Sequence, residues 1–446
     1  MSKFVPFNRD QSFLLPPDLK DWLPEDDVAH FIVAASDRVA MAAFEVPART
    51  GGKPQYHPRL MLALLIYCYA NGIFSSRRIE RATHRDIGVR FVAANLHPDH
   101  DTIAAFRRIN KAAFEAAFLQ VLLLARASGL LSLGTVSIDG TKLDANASKI
   151  RSVRHDRAEE LRKKLAADIA ELTAKAEAAD TEDHDPQALP AEIARRERLK
   201  AKLDAACARL EAEAKARADA ERDAYTAKQA AYEARGRSGR APKPPDETPP
   251  AARQTNLTDP DSQLMRKSAA HEYRQAYNAQ AVVCAEGSQL IVSTNVLTTP
   301  TDQPGFAATI LGMEKTIGLP RTVLADAGYA SGAAVAQLEA RQIEPLVAIG
   351  RTQPHRPYDF RPPPEPKTQP AIADPWRVAM KAKLESEDGR KRYKIRKQTV
   401  EPVFGIIKNV LGFTRFHLRG LQNVACEWMI VALAYNCRRL HRLRLA

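Results

Sequence analysis

Cysteine is scarce in this chain, five residues in 446, and Cys68, Cys207, Cys284, Cys426 and Cys437 form no C-x-x-C pair and no metal-site spacing. That argues against a disulfide framework or a structural zinc module, and a reduced, cytoplasmic protein is the simplest expectation. Long hydrophobic runs are also missing. A membrane helix needs ~20 apolar residues, and the nearest approach, LMLALLIYCYA at 60–70, reads as a buried helix. The opening MSKFVPFNRDQS is too polar for a secretory signal. With 446 residues and 45% hydrophobic content, the chain has the length for two or three domains and a sizeable core.

The net charge of +13 is unevenly placed. Residues 391–446 carry twelve Lys or Arg against Glu401 and Glu427, whereas residues 151–250 carry equal numbers of each sign. A basic excess this local suits a polyanionic partner, although a solvated basic tail gives the same count. A second basic stretch follows Ser75 and Ser76, either of which is placed to cap a helix. Arg77, Arg78, Arg81 and Arg85 recur there, and Arg77, Arg81 and Arg85, four apart, share one helix face, as a phosphate-contacting surface requires.

The middle of the chain is different. From about His155 to Arg235 it is rich in Ala, Glu, Lys and Arg with almost no Gly, which predicts long helix. Leu199, Leu203, Ala206 and Leu210 step as a heptad seam that fades at Arg217, and Leu161, Leu165, Ile169 and Leu172 form a matching stripe. A turn at TEDHDPQALP, 181–190, makes an antiparallel hairpin of the two, and GRSGRAPKPPDETPPAA, 236–252, reads as a linker.

Three carboxylates stand out. In GTVSIDG, apolar Val136 and Ile138 alternate with Ser137 and Asp139, so Asp139 falls near the end of a short strand. In RTVLADAGY a doubly buried strand, Val323 to Ala325, delivers Asp326 just before a turn. Glu401 lies in a helical stretch, about 390–409, that contains Pro402, and Lys408 is seven residues on, nearly two turns along the same face. Acids delivered from two strand ends and a helix can converge to hold divalent metal. Taken singly, each has a plainer reading as a turn former, a cap or a solvated side chain. Asp144 reads as an exposed loop residue, and Asp259 and Asp261 as a turn around Pro260 that could also line the site's rim. His97 and His100 read as turn residues in an exposed loop, 95–102.

These residues, with ANASK, TDPDSQLM, YNAQAVV and YHPRLMLALLIYCYANGIFSSRRIE, resemble a DDE transposase of a bacterial insertion sequence. The motif around that group's last acid is tyrosine, two residues, arginine, three residues, glutamate, six residues, lysine. Glu401 and Lys408 keep the gap of six; Tyr393 and Arg396 keep theirs, but four residues separate Arg396 from Glu401, and Lys397 holds the in-register place.

The resemblance implies a ribonuclease-H-like α/β domain over 131–150 and 251–420, with strands near 134–140, 277–285, 289–297, 321–326 and 345–349 and helices near 303–317, 332–342 and 390–410. A helical N-terminal DNA-binding domain, 1–130, would precede it, the hairpin and linker at 151–250 would interrupt it, and a basic helix, 421–446, would follow. It further implies two Mg²⁺ ions, replaceable by Mn²⁺, on Asp139, Asp326 and Glu401. DNA would be contacted by Arg77, Arg78, Arg81, Arg85, Arg396, Lys397 and Lys408. The partners would be double-stranded DNA, both terminal inverted repeats and target, bound by a homodimer or larger assembly in the bacterial nucleoid. A nuclease of the same fold that never joins ends, or an inactive DNA-binding regulator, are the rival expectations.

Overall fold

The computed structural model describes residues 18–48, 54–179, 188–266, 270–350 and 374–445. Most of the expected turn at 181–190 lies outside them, as does the opening segment. The chain divides into two compact units, one of residues 1–143, 278–418 and 422–446, the other of residues 144–277 and 419–421.

The first unit begins with helices α1 (Val28–Asp37), α2 (Pro58–Ala70), α3 (Ser76–Arg85), α4 (Ile87–Val92), α5 (His100–Ile109) and α6 (Lys111–Ala127). Pro58 stands at the first turn of α2, where no helical donor is needed, and Met61 to Ala70 are all buried. The longest apolar run is therefore the bundle's central helix, and no helix among the described residues is long and apolar enough to cross a membrane. α3 buries Ile79, Ala82 and Thr83 and leaves Arg77, Arg78, Arg81 and Arg85 exposed. Ser75 occupies its N-cap position, but its side chain makes no capping hydrogen bond. The expected loop at 95–102 is shorter: α5 starts at His100, capped by Asp99, and His97 stacks on His84 with ring centroids 3.9 Å apart.

The sheet carries the reading of a mixed α/β fold. Strands β1 (Thr135–Asp144), β5 (Arg274–Cys284), β6 (Ile291–Leu297), β7 (Thr322–Ala325) and β8 (Glu344–Val347) run in the spatial order β6-β5-β1-β7-β8. β6 is antiparallel to β5, and β7 is parallel to both β1 and β8. Ala285 N–H donates to Thr135 O at 2.9 Å, and at the other end Ala145 N–H donates to Gln275 O at 2.8 Å, so β1 and β5 are antiparallel. An antiparallel meander followed by two parallel strands is the ribonuclease-H-like order. Asp144 is thus the last residue of β1, 3.3 Å from Arg274, rather than a free loop residue.

Helices α9 (Phe306–Leu311), α10 (Gly332–Glu339), α11 (Pro375–Glu385) and α12 (Glu387–Gly405) follow in this unit, α12 running on into a π-helical turn, Ile406–Val410. The single helix expected at 303–317 is broken: short 3-10 turns flank α9 where Pro304, Gly305 and Gly312 fall. Pro402 sits inside α12 and cannot donate to Gln398 O; Gln289 Nε2–H donates to that carbonyl instead, at 2.9 Å.

The last helix, α13 (Leu421–Leu445), is not a solvated basic tail. Val424, Trp428 and Ile430 to Ala434 are buried, Trp428 donates its indole N–H to Gln280 O at 2.8 Å, and Asn436 pairs with both backbone groups of Ile291 at 2.8 Å. Arg438 and Arg439 donate to the carbonyls of Ala70 and Ser288, so part of the C-terminal positive charge is structural.

The second unit holds the hairpin, α7 (His155–Ala179) and α8 (Ala188–Ala234), and short strands β2 (Ser152–Arg154), β3 (Gln254–Asn256) and β4 (Gln263–Met265). Arg196 meets Asp168 at 2.7 Å and Arg162 meets Asp204 at 3.8 Å, a pairing that only antiparallel helices give. The seam does not stop at Leu210. Ala214 and Ala218 continue it, 3% and 0% exposed, because small side chains keep the spacing without looking apolar enough to count. The Pro-rich stretch is strapped along α8 by Arg217 to Asp246 O (3.2 Å) and Arg222 to Glu247 (2.9 Å). Asp259 opens the expected turn around Pro260, Ser262 N–H donating to its carbonyl at 3.1 Å, but its side chain is wholly buried, accepting from Tyr277 Oη–H at 2.9 Å and Gly420 N–H at 3.1 Å.

Candidate active site

Asp139, Asp326 and Glu401 all belong to the first unit. Asp139 stands midway along β1, with Oδ1 accepting from Gly140 N–H at 2.7 Å. Asp326 immediately follows β7, the parallel neighbour of β1, and caps a short 3-10 turn by accepting from Gly328 N–H at 2.8 Å. Glu401 comes from α12 and is half exposed.

Arg396 lies between two of these acids. Its Nη1 is 3.6 Å from Asp139 Oδ2 and its Nη2 donates to Glu401 Oε1 at 3.3 Å. The extra residue between Arg396 and Glu401 therefore does not separate them, because the long Arg side chain reaches past the one added residue. Tyr393, one turn earlier, donates its hydroxyl to Ala325 O at 3.1 Å, beside Asp326. Lys408, on the π-helical turn, donates to Thr141 Oγ1, two residues beyond Asp139 on β1. Arg396 is buried in this cluster, while Lys397 is exposed.

A fourth carboxylate joins them that the sequence did not single out. Asp302 accepts from Asn278 Nδ2–H at 2.7 Å. A Cβ on Gly140 would stand 2.4 Å from Asp302 Oδ1, and one on Gly328 would stand 3.0 Å from Asp302 Oδ2. The glycines of IDG and DAG thus both make room for the same carboxylate. Asp302 occupies the N-cap position of the short 3-10 turn Gln303–Gly305 but makes no capping hydrogen bond, its side chain being used here instead.

The electrostatics follow from this crowding. Burial, then the like charge of Asp326, pushes Asp139 up to about 7, against the opposing pull of the Gly140 N–H and Arg396. Burial also raises Asp302, Asp326 adding to it and the Asn278 hydrogen bond opposing it. Tyr329 is fully buried beside these acids with its hydroxyl unpartnered, and Arg396 Nε and Asn278 Oδ1 are likewise buried without partners. Closely set acids that repel one another, among polar atoms left unsatisfied, carry negative charge that a cation would compensate.

Two family models match the chain: the transposase DDE domain over residues 248–437, and the transposase domain DUF772 over residues 17–108. The first spans β5 to β8, α12 and most of α13; the second spans the N-terminal helices from α1 into α5. The chain belongs to the DDE transposases of insertion sequences. Searches of the curated proteins and of the solved structures returned no significant match.

Asp302→Asn should leave the fold intact, since the Asn278 contact can persist, and lower cation-dependent activity by about 10-fold or more by removing one charge from the cluster. Titration of activity against Mg²⁺ concentration checks this; an unchanged Mg²⁺ requirement would make Asp302 a purely structural neighbour.

Proposed function

We propose that this transposase cuts DNA at the terminal inverted repeats of its own insertion sequence and joins the freed 3′ ends to target DNA, with Asp139, Asp326 and Glu401 as the catalytic acids. The observation that carries the reading is that Arg396 reaches both Asp139 on β1 and Glu401 on α12, while Asp326, at the end of the neighbouring strand β7, acts on Asp139 as a like charge. When bound, Mg²⁺ supplies Lewis-acid polarisation of the phosphate and a nucleophile at neutral pH.

The chain's own groups do the rest. Asp139 and Asp326, on the neighbouring strands β1 and β7, would hold the cation together with Glu401. Glu401, half exposed, is free to leave Arg396 and turn towards the cation. Arg396 neutralises Asp139 and Glu401 when no cation is present and is placed to meet a phosphate when they are engaged. Lys408, which donates to Thr141 two residues beyond Asp139 on β1, can hold a phosphate beside the cut. Two ends must be held at once, so the working form is a dimer or larger assembly on double-stranded DNA.

The exposed Arg77, Arg78, Arg81 and Arg85 on α3 serve as phosphate-binding groups, with Lys397 nearer the acids. Reversing Arg77, Arg81 and Arg85 to Glu should weaken DNA binding and flatten its log–log salt dependence by about 0.9 for each phosphate the protein no longer neutralises. Binding isotherms at several salt concentrations read this slope, and an unchanged slope would leave α3 a solvated face. The reaction itself is tested on oligonucleotides carrying the inverted repeats that flank the gene, with Mg²⁺ or Mn²⁺. Nicking followed by joining is expected. Nicking with no joining would make the protein a nuclease, and binding with neither would make it a regulator.

A further inference from the structure

We infer that the base of the helical hairpin holds a second, independent metal site, built from His155, Glu159 and Glu211 and suited to a transition-metal ion of the Zn²⁺ class. One ring nitrogen of His155 and one carboxylate oxygen from each Glu lie within 4.8 Å of one another. The three residues come from both arms: His155 opens α7, Glu159 is one turn along the same face, and Glu211 faces them from α8.

His155 supplies the second observation. It is only 9% exposed, its Nε2 is buried, and that nitrogen has no hydrogen-bond partner. A buried imidazole nitrogen left unsatisfied is costly unless something else occupies it. Val153, Ala158, Leu203 and Cys207 form a buried cluster at this end of the hairpin. Among the described residues, no Lys or Arg makes an ion pair with Glu159 or Glu211, although most acids along these helices are paired. Two uncompensated carboxylates beside an unpartnered imidazole make a coordination set that lacks only its cation.

The ligand types choose the ion. An imidazole nitrogen disfavours Mg²⁺ and Ca²⁺, which take oxygen, and with two carboxylates it suits Zn²⁺, with water completing four-coordination. Bound there, the ion would join α7 to α8 far along the sequence from the hairpin's turn, and so clip the arm's base closed. The site is separate from Asp139, Asp326 and Glu401, so loading it would order the arm without supplying the catalytic ion.

The test uses the full-length, tag-free protein, stripped with chelator, in an Asp139→Asn background that removes one of the core acids. Competition with a chromophoric chelator measures Zn²⁺, and Co²⁺ serves as the spectroscopic probe. One equivalent of Zn²⁺ should bind, and Co²⁺ should give the visible bands of a low-coordinate site. Glu211→Gln, an exposed and fold-neutral change, should weaken Zn²⁺ binding by about 10-fold, and His155→Ala by about 100-fold. Hydrogen exchange should show protection of residues 155–165 and 205–215 that depends on Zn²⁺ and not on Mg²⁺. Zn²⁺ affinity unchanged in Glu211→Gln, or no stoichiometric Zn²⁺ in the parent, would overturn the site. Either result leaves the DNA-cutting proposal untouched, because no readout here is activity.

Discussion

Asp139→Asn is expected to abolish metal-dependent cutting of inverted-repeat DNA, a loss on the order of 10³-fold or more and so about 4 kcal/mol at the barrier. Asp326→Asn and Glu401→Gln should do the same, each amide keeping the shape of the acid while removing the charge that holds the cation. Asp144→Asn is the right control, since Asp144 ends β1 beside Arg274. Asp259→Asn is not, because that buried carboxylate accepts hydrogen bonds from Tyr277 and Gly420. Near-normal nicking by any one of the three variants would remove that residue from the site.

The same Asp139→Asn change should also stabilise the cation-free protein. Asp139 is raised from 3.8 to about 7, chiefly by burial and then by Asp326. The folded chain therefore binds this proton more tightly than the unfolded chain, and stability falls as pH climbs from about 4 through about 7. Asparagine carries no charge to desolvate, so the variant should gain up to about 4 kcal/mol near pH 8 and nothing near pH 4. Thermal melts at the two pH values read the difference, and added Mg²⁺ should narrow it by stabilising only the parent. Identical melting at the higher pH would show that Asp139 is not under this strain.

Removing α13 by truncation after Gly420 should eliminate the folded state rather than merely weaken DNA binding. The helix supplies Trp428, and it supplies Glu427, which is 0% exposed. Glu427 accepts from Tyr69 Oη–H at 3.1 Å and from His417 and Leu418 N–H at 2.9 Å, while buried Arg107 donates to the same Tyr69 hydroxyl at 2.7 Å. One buried network thus ties α2 and α5 to the last helix. Glu427→Ala strands the Tyr69 hydroxyl and two backbone donors and removes a carboxylate charge that compensates buried Arg107, a cost of about 3–5 kcal/mol. Chemical denaturation gives the number; a loss below ~1 kcal/mol would mean that water replaces the carboxylate.

Asp326 could be placed because a buried apolar run and turn residues mark where β7 ends, and that is local information; Asp139, expected near a strand end, stands midway along β1, which runs on to Asp144. The hairpin was legible for the same reason, its leucines keeping helical spacing. What escaped was whatever depended on a partner distant in sequence. Asp302 went unnoticed because the glycines that seat it lie at 140 and 328. The positive charge of α13 was assigned wholly to a polyanionic partner because a count of Lys and Arg ignores the backbone carbonyls that Arg438 and Arg439 reach. Ala214 and Ala218 were passed over as neutral filler, though their smallness lets the seam continue beyond Leu210.

Insertion sequences leave many copies behind, and copies decay. The seat of Asp302 gives a way to recognise a dead one that still has every acid. Alanine at 140 or 328 is the mildest of changes on paper, a single methyl group. Here that methyl would press on Asp302 from one side or the other, within 2.4 or 3.0 Å of its oxygens, and push the carboxylate out of the cluster. A copy carrying either alanine should still fold and bind its ends, and so compete with the active copies as a natural inhibitor of their movement.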